Sequence, residues 1–352
     1  MTTTIGLVVN PAAGRDIRRL TGGASVSNNY AKRRTAGCVL AGLTLVDDVE
    51  VLVMPDNTGL ANRIVDDAPD DLGVEFVEMT VTASGRDSRA AAAHFADHAD
   101  AVVVLGGDGT TRDVAQTIGD VPVVSISTGT NNVVPTPVDG TVAGAAAALV
   151  GSGAVPAAEA TTRHGTVEVD VVRSEETTVI RGLATVGVLD RPFVGTRAIL
   201  DPSDIVGGVV SRSSPAEIGL SGIAGGLVTH RPDEPGGVGF RLARDGADGG
   251  DGADRTDAPD ATDAATGPAT TVRAITVPGR LSTVDVAEHR VLDDGEDYAF
   301  EVDRGVISVD GEREHEVRNG TVRLRPVTDG PRLVDVEAVL ERAADDGRFR
   351  LG

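Results

Sequence analysis

Short apolar runs rich in β-branched residues alternate with longer helical stretches over the first third of the chain. Four runs are almost continuously apolar, as expected for strands buried on both faces of a parallel sheet: residues 5–9, 49–54, 101–105 and 121–126. Between them, the pattern predicts one helix over residues 29–45 and another through residues 90–98, capped by residues 84–87. The alternation predicts βαβ units, and therefore an α/β N-terminal domain with a Rossmann-like parallel sheet over residues 1–135.

After about residue 135 the pattern changes to short alternating or β-rich runs separated by Gly, Pro and Asp. These runs cover residues 167–172, 177–183, 237–242, 271–277, 298–302, 306–309 and 321–327. They predict a β-rich C-terminal domain over residues 136–332. An amphipathic pattern over residues 334–344 predicts a last helix within a C-terminal segment of residues 333–352.

One segment of the second domain has a composition of its own. An Asp recurs at every third position from Asp245 to Asp263. A calcium-binding repeat would need a large apolar residue in each repeat, and these repeats contain none. We therefore predict a disordered acidic insertion over about residues 244–270, without a catalytic role.

Charge narrows the range of partners. The chain carries 54 Asp and Glu against 32 Lys and Arg, a formal net charge of −22. Nucleic acids and anionic membranes require a basic footprint, so both are excluded as partners. Lys32 is the single lysine and the other 31 basic side chains are arginine, which, with the dense carboxylates, predicts adaptation to high salt. One cysteine and the absence of a basic, apolar leader predict a cytoplasmic protein without a membrane span.

The third apolar run ends in a glycine-rich turn, Gly106-Gly107-Asp108-Gly109-Thr110, before a helix predicted from about Thr110. Glycines permit a left-handed backbone and close approach to a ligand, so N–H groups can converge on phosphate oxygens at the helix N-terminus. A carboxylate in such a cradle suits a residue that holds a cation or accepts a proton from a substrate hydroxyl. The simpler alternative is an ordinary strand-to-helix turn with Asp108 as its cap.

Two further polar loops follow predicted strands. Asn10 to Gly14, with the sequence NPAAG, follows the first strand, and a loop containing Gly129, Thr130 and Asn131 follows the fourth. Since the carboxyl ends of parallel strands form the ligand crevice of open α/β sheets, we expect all three loops at one edge.

The sequence after NPAAG contains the local basic excess of this acidic chain: Arg18, Arg19, Lys32, Arg33 and Arg34. Ion pairing with the abundant carboxylates is one interpretation. Clamping of nucleotide phosphates is the other, because arginine forks fit phosphate oxygens.

These motifs together resemble the superfamily that joins ATP-NAD kinases to diacylglycerol kinases. The resemblance rests on NPAAG, GGDGT, GTNN and the late DGER of residues 310–313. The chain also resembles the branch of acetoin-catabolism X proteins, through the segments RDIRRLTG, FVGTRA and IGLSGIAGG. It implies an ATP-dependent, Mg²⁺-dependent kinase of a small-molecule hydroxyl, assembled as a homo-oligomer, with its site between an α/β domain and a β-rich domain.

The resemblance also implies roles for individual residues. Asp108 is the expected catalytic base, and Asp310 and Glu312 are expected to hold a Mg²⁺-bound water. The residues expected to bind nucleotide or phosphate are Asn10, Gly14, Gly106, Gly107, Gly109, Thr110, Gly129, Thr130 and Asn131.

The acceptor expected first is NAD⁺, phosphorylated at its ribose 2′-hydroxyl to give NADP⁺. Authentic NAD kinases carry an Asn-Glu pair and a Thr-Gly-Ser-Thr-Ala-Tyr segment, and this chain has neither in recognisable form; IGLSGIAGG occupies the comparable place. The alternatives are therefore a kinase of a sugar, polyol or other nucleotide, and a non-catalytic nucleotide-binding regulatory protein. A lipid kinase is a weaker alternative because the composition gives no sign of an apolar or basic docking surface.

Overall fold

The computed structural model describes residues 2–13, 28–129, 132–173, 176–191, 202–243, 266–267 and 269–350. The chain divides into two compact units, Met1–His164 with Asp329–Gly352, and Gly165–Thr328. The division at residues 164 and 328 differs from the predicted boundaries at 135 and 332, and it places the C-terminal helix in the first unit. The predicted acidic insertion lies outside the described residues, apart from a few residues at its end.

Within the described residues, the first unit is built on a seven-stranded sheet. Its strands are β1 (Thr3–Val9), β2 (Val49–Val53), β3 (Gly73–Phe76), β4 (Ala101–Gly106), β5 (Val123–Ser127), β6 (Thr161–Arg163) and β17 (Arg332–Val334). Its helices are α1 (Asn29–Leu43), α2 (Leu60–Asp66), α3 (Gly85–His98), α4 (Asp108–Ala115), α5 (Gly140–Gly151), α6 (Ala157–Ala160) and α8 (Val336–Asp345).

The strand order of this sheet is β3-β2-β1-β4-β5-β17-β6. The strands from β3 to β17 are parallel to their neighbours, and only β6 runs antiparallel, against β17. The four strands predicted from apolar runs are confirmed as β1, β2, β4 and β5. The sequence missed β3, because this short edge strand is largely exposed and has no continuous apolar run.

Both faces of the sheet are covered, as the apolar strands predicted. Ile5 and Leu7 of β1 point into a core shared with α1, α2 and α5, whereas Val8 points into a second core with α3 and α4. Helices α1 and α5 approach so closely that a Cβ on Gly144 would lie 2.1 Å from the carbonyl oxygen of Val39. Glycine is therefore required at that crossing. The predicted caps are confirmed at α3, where the Ser84 hydroxyl accepts a hydrogen bond from the Arg86 amide.

In the described part of the second unit, the strands form one ten-stranded antiparallel sheet. Its order is β12-β14-β11-β10-β9-β15-β16-β7-β8, and β13 pairs with β14. Its strands are β7 (Thr166–Arg173), β8 (Glu176–Gly182), β9 (Thr185–Leu189), β10 (Ile205–Val210), β11 (Gly237–Leu242), β12 (Thr266–Gly267), β13 (Thr270–Val277), β14 (Arg280–Leu292), β15 (Tyr298–Val309) and β16 (Glu312–Val327). The IGLSGIAGG segment contains its helix α7 (Leu220–Gly225).

This unit confirms the predicted β-rich domain, with two differences. The runs at 298–302 and 306–309 form the single strand β15, because the intervening residues continue its ladder with β16. The end of the predicted insertion is ordered as β12 and the start of β13. Among the described residues, no helix has the length and apolarity needed to span a membrane.

Candidate functional site

The strand order of the first sheet reverses between β1 and β4, because the chain adds β2 and β3 on one side of β1 and then β4 and β5 on the other. Such a reversal opens a crevice at the carboxyl ends of the two central strands. The loops that follow β1 and β4 contain two of the predicted motifs. The first of these loops is held to the end of β4, where the Asn10 amide donates to the Leu105 carbonyl oxygen at 3.3 Å.

Asn10 also joins the two loops through its side chain. Its Nδ2 donates a hydrogen bond to the Thr110 hydroxyl at 2.9 Å, and its Oδ1 accepts one from the Ala12 amide at 2.8 Å. The structure therefore brings the predicted residues Asn10 and Thr110 together across 100 positions of sequence.

The glycines of the GGDGT turn allow close packing. Thr110 folds back over Gly106, where an added Cβ would lie 2.5 Å from the Thr110 Cβ. Gly107 is the N-cap of α4, with φ −114° and ψ −171°, and Gly109 lies within the helix. The left-handed conformation that glycine permits is therefore not used in this turn, and α4 begins at Asp108, two residues before the predicted start.

Asp108 is buried, and its carboxylate accepts hydrogen bonds from the backbone amides of Val133 at 3.0 Å and Val134 at 2.9 Å. Its own amide donates to Asn132 Oδ1 at 3.3 Å. Asp108 thus ties the start of α4 to the loop after β5. Sequence reasoning missed this connection, because the partners lie 24–26 residues away and two of them are backbone amides, which no side-chain pattern marks.

The loop after β5 lies at the same edge, as predicted. The Thr128 amide donates to the Gly106 carbonyl oxygen at 3.0 Å. The Ser127 hydroxyl accepts from Asn132 Nδ2 at 2.7 Å and donates to the Gly129 carbonyl oxygen at 2.6 Å. Of the predicted binding residues, Gly14, Thr130 and Asn131 lie outside the described residues, as do Arg18, Arg19 and the FVGTRA segment.

The basic residues after NPAAG have different environments. Lys32 is fully buried, and its ammonium donates to the carbonyl oxygens of Asn10, Pro11 and Ala13. The neighbouring Arg33 forms a bidentate pair with Asp67 at the end of α2. For Arg33, ion pairing with a carboxylate is therefore the correct interpretation. Lys32 binds the backbone of the loop itself, which neither interpretation anticipated.

A cavity of about 260 Å³ lies beside Asn10, between the loops that follow β1, β2 and β3. Met54 and Val81 give it apolar surface, and Asn57 and Ser84 add polar groups. A cavity with apolar walls and a few converging polar groups is the usual form of a small-molecule site. The sequence did not single out the loop after β2, which supplies residues 54–58.

Two carboxylates of this cavity hold the shape of its walls. Asp87 is buried and accepts hydrogen bonds from the Thr82 amide and hydroxyl and from the Ala83 amide. These bonds hold Ala83 in a left-handed conformation at φ 57°. A non-glycine residue in that conformation costs about 1 kcal/mol, and the carboxylate offsets this cost.

Asp56 supports the loop after β2 in the same way. It accepts hydrogen bonds from the Thr58 amide and hydroxyl and from the amides of Leu60 and Ala61 at the start of α2. Burial raises the pKa of Asp56, but the hydrogen bonds from Thr58, Ala61 and Leu60 together outweigh it, so the pKa lies below its ordinary value.

The first unit's loops are also linked through α3 and α4. Arg89 of α3 forms an ion pair with Asp113 of α4 at 2.8 Å. The Asp113 carboxylate packs against Gly85, where an added Cβ would lie 2.2 Å from Asp113 Oδ2. The GGDGTTRD helix is thereby fixed to the wall of the cavity.

Most of the chain matches one curated relative. It is 32% identical over 320 residues to acetoin catabolism protein X of Cupriavidus necator, covering 88% of this chain and 83% of that protein. The chain belongs to the acetoin catabolism protein X family. The resemblance drawn from the sequence motifs is confirmed.

Two protein-domain families match this chain, and the residues that they match correspond to the two structural units. The ATP-NAD kinase N-terminal domain matches residues 5–153, and the acetoin catabolism protein X C-terminal domain matches residues 166–329. The first match contains Asn10, Lys32 and the GGDGT turn, and it supports a kinase-type, nucleotide-binding function.

Two solved structures resemble this family member at low identity. Yeast NADH kinase complexed with NADH matches with a TM-score of 0.48 and 15% identity, covering 100% of this chain and 90% of that one. A diacylglycerol kinase from Bacillus anthracis str. Sterne matches with a TM-score of 0.31 and 12% identity, covering 94% and 96%. Both TM-scores lie below 0.5, so neither comparison bears on the function.

Asp310 and Glu312 lie in the C-terminal domain typical of acetoin catabolism protein X. Asp310 (φ 48°) and Gly311 (φ 80°) form the turn between β15 and β16. The buried Asp310 carboxylate accepts hydrogen bonds from the amides of residues 183, 184 and 185, at 2.8–3.0 Å. These contacts hold the β8–β9 connection against the β15–β16 turn, a structural role that the sequence did not suggest.

The described side chains do not form an all-protein cage for Mg²⁺. Mg²⁺ prefers carboxylate and water oxygens in octahedral geometry, whereas the Asp310 oxygens are directed at three amides. Within the described part of this family member, no group of three or more His, Cys, Asp or Glu side chains is placed to hold a metal ion.

Proposed function

We propose that the protein is an ATP-dependent kinase that transfers the γ-phosphoryl group of MgATP to the hydroxyl of a small molecule, with NAD⁺ as the first acceptor to test. The observation that carries this proposal is the hydrogen bond from Asn10 to Thr110, which joins the NPAAG and GGDGT loops at the reversal point of a parallel sheet. The match to the ATP-NAD kinase N-terminal domain supports it.

The triphosphate fits the N-terminus of α4. The first-turn N–H groups of a helix have no partner within the helix, and the helix dipole places partial positive charge there. Gly107 and Gly109 carry no side chain that would stand between phosphate oxygens and the backbone. Asn10 and Thr110, already paired with each other, would border the same phosphates.

The nucleoside part of ATP fits the adjacent cavity. Its volume of about 260 Å³ is close to the lower end of the range of about 300–1,000 Å³ for small-ligand pockets, which suits one portion of a nucleotide. Met54 and Val81 would contact the base, and Asn57 would offer an amide to its polar edge.

Asp108 would orient the acceptor hydroxyl and accept its proton. The acceptor oxygen forms a bond to the γ-phosphorus, the bond from phosphorus to the β–γ bridging oxygen breaks, and ADP leaves with that oxygen. The amides of Val133 and Val134 donate to the carboxylate and fix it in place.

One observation favours a second candidate, a nucleotide-binding regulatory protein without catalysis. The Asp108 carboxylate already accepts two amide hydrogen bonds, as expected of a residue whose task is to hold a loop. Such a protein would bind ATP and release no ADP with any acceptor.

An assay in molar KCl separates the two candidates. ATP binding is measured by titration calorimetry, and ADP release is measured with MgATP and a panel of NAD⁺, NADH, sugars, polyols and nucleosides. ADP release that depends on one acceptor supports the kinase, and ATP binding without ADP release supports the regulatory protein. Absence of ATP binding would contradict both. Light scattering after gel filtration tests the expected homo-oligomer in the same buffer.

A further inference from the structure

Lys32 lies in the first turn of α1 and is fully buried. It is the single lysine of a 352-residue chain whose other 31 basic side chains are arginine. Lysine is one of the residue types least often fully buried, because an ammonium loses its hydration when it leaves water. Its presence here therefore calls for a specific set of partners.

Three carbonyl oxygens of one loop are among the partners of Lys32 in the described part of the chain. The Lys32 ammonium donates to the carbonyl oxygens of Asn10 at 3.0 Å, Pro11 at 3.0 Å and Ala13 at 2.7 Å. An ammonium carries three donors around one atom and can serve three converging oxygens. A planar guanidinium presents its donors as a fork that suits a carboxylate, so arginine cannot reproduce this arrangement.

The hydrogen bonds from Lys32 to the backbone also position the side chain of Asn10. With its carbonyl oxygen fixed by Lys32, Asn10 has its side chain placed to donate to Thr110 and to accept from the Ala12 amide. The hydrogen bonds from Lys32 also direct three carbonyl oxygens of the loop toward the buried ammonium. Carbonyl oxygens that faced the ligand instead would repel a phosphate. The loop is thereby prepared for an anion before any ligand binds.

We propose that Lys32 is a positioning residue of the nucleotide site, whose ammonium holds residues 10–13 in the conformation in which Asn10 engages Thr110. This inference rests on the proposed nucleotide function. It differs from a general electrostatic role, in which any cation nearby would attract phosphates, and from a purely structural role, in which Lys32 would stabilise the fold without affecting ligand binding.

Three variants separate the effect of the hydrogen-bond geometry of Lys32 from the effect of its positive charge. Lys32→Arg keeps the charge and loses the three-carbonyl fit, Lys32→Met loses both, and Arg33→Met removes the same charge from the adjacent, solvent-exposed position paired with Asp67. We expect both Lys32 variants to weaken MgATP binding by about tenfold, as misplaced binding groups do, and Arg33→Met to change it much less. Lys32→Arg binding like the wild type, or Arg33→Met weakening it as much as Lys32→Met, would overturn the proposal.

Hydrogen exchange shows whether the loop itself has loosened. The amides of Ala12 and Ala13 donate to the side chain and the carbonyl oxygen of Asn10, and a peptide of residues 5–13 reports on them by mass spectrometry. We expect faster exchange in Lys32→Arg than in Arg33→Met at equal melting temperature. Equal exchange rates in the two variants would contradict the proposal that Lys32 holds residues 10–13 in place. This measurement needs no nucleotide, so it is independent of the proposed function.

A spectroscopic measurement on the wild-type protein tests the proposal even if the Lys32 variants fail to fold. Labelling with [ζ-¹⁵N]lysine gives one side-chain signal, because the chain has one lysine. We expect that signal to shift when MgATP saturates the protein, and an unchanged signal would count against the positioning role. Failure of the wild-type protein to bind ATP at all would instead contradict the proposed function, and the exchange experiment would still decide whether Lys32 holds the loop.

Discussion

The side-chain amide of Asn10 donates a hydrogen bond to the hydroxyl of Thr110 at 2.9 Å, and this bond joins the loops that follow β1 and β4. The two residues belong to separate motifs, yet they act as one unit because the strand order places β1 beside β4. The geometry of the candidate phosphate site therefore depends on this pair.

Removing either partner should weaken nucleotide binding. Thr110→Val keeps the shape that packs on Gly106 and removes the hydroxyl, and Asn10→Ala removes the donor. We expect each change to reduce MgATP affinity by about fivefold, since one such bond contributes about 1 kcal/mol. The double variant should lose little more than either single variant, because both changes break the same bond.

Titration calorimetry in molar KCl measures this cycle, with Thr44→Val as the control. Thr44 donates to the Ala41 carbonyl oxygen at the end of α1, away from the loops. Strictly additive losses in the double variant would contradict the coupling between Asn10 and Thr110.

Asp108→Asn should reduce both turnover and stability. Turnover should fall by about 100-fold or more, the usual contribution of a positioned base, whereas ATP affinity should change far less. The free energy of unfolding should fall by about 1–3 kcal/mol, because an amide group would meet the N–H groups of Val133 and Val134.

ADP release and urea unfolding measure the two effects separately. Asp139→Asn is the matched control, since Asp139 caps α5 by accepting from two amides and Asn is an equally good cap. Unchanged turnover in Asp108→Asn would contradict the proposed role of Asp108 as the catalytic base.

Asp310→Asn should destabilise the protein without changing its need for Mg²⁺. The carboxylate holds three amides of the β8–β9 connection, and replacing one oxygen with an amide group should cost about 1–3 kcal/mol of unfolding free energy. A Mg²⁺ titration of ADP release, with Glu312→Gln beside it, checks the second point. If the half-saturating Mg²⁺ concentration rises in either variant, that residue assists the metal as the family resemblance implies.

The lowered pKa of Asp56 predicts an acid-sensitive loop after β2. Its ionised form is favoured in the folded state by the hydrogen bonds from Thr58, Leu60 and Ala61, so its contribution is present above the unfolded pKa of about 4. The contribution is lost as the pH falls through the lower folded pKa, when the carboxylate takes up a proton.

Asp56→Asn should therefore be less stable than the wild type at pH 7, by about 1 kcal/mol, and the difference should shrink below pH 4. Urea unfolding at fixed KCl across this range measures it. Asp71→Asn, on the exposed connection before β3, serves as the control. A difference between Asp56→Asn and wild type that does not vary with pH would contradict the assignment.

The net charge of −22 predicts that activity depends on salt. At low ionic strength the carboxylates repel one another and the anionic nucleotide, and at about 1 M salt the Debye length falls to about 3 Å, which screens both effects. We expect turnover to collapse in low-salt buffer and to recover partly with excess Mg²⁺, measured by ADP release against KCl concentration. Activity that is indifferent to both would contradict the proposed adaptation to high salt.

Much of the first unit follows from local patterns. The runs that became β1, β4 and β5 are largely apolar because these strands are covered on both faces, and the run of β2 is interrupted only at the exposed Glu50. Edge strand β3 and the small strand β17 have no such run, and their places depend on neighbours far away in sequence. The C-terminal segment joins the first unit for this reason, although it follows the whole second unit along the chain.

By itself, the sequence determined the alternation of strands and helices, the acidic surface and the motifs that mark the carboxyl ends of the strands. Only the tertiary structure decided what each polar group of those motifs touches. Asp108 holds the loop after β5, Asp310 holds the β8–β9 connection, and Lys32 holds the loop after β1. The physical reason is that a carboxylate or an ammonium can serve a ligand or the backbone equally well. The choice depends on which amides or carbonyl oxygens the fold brings within about 3 Å.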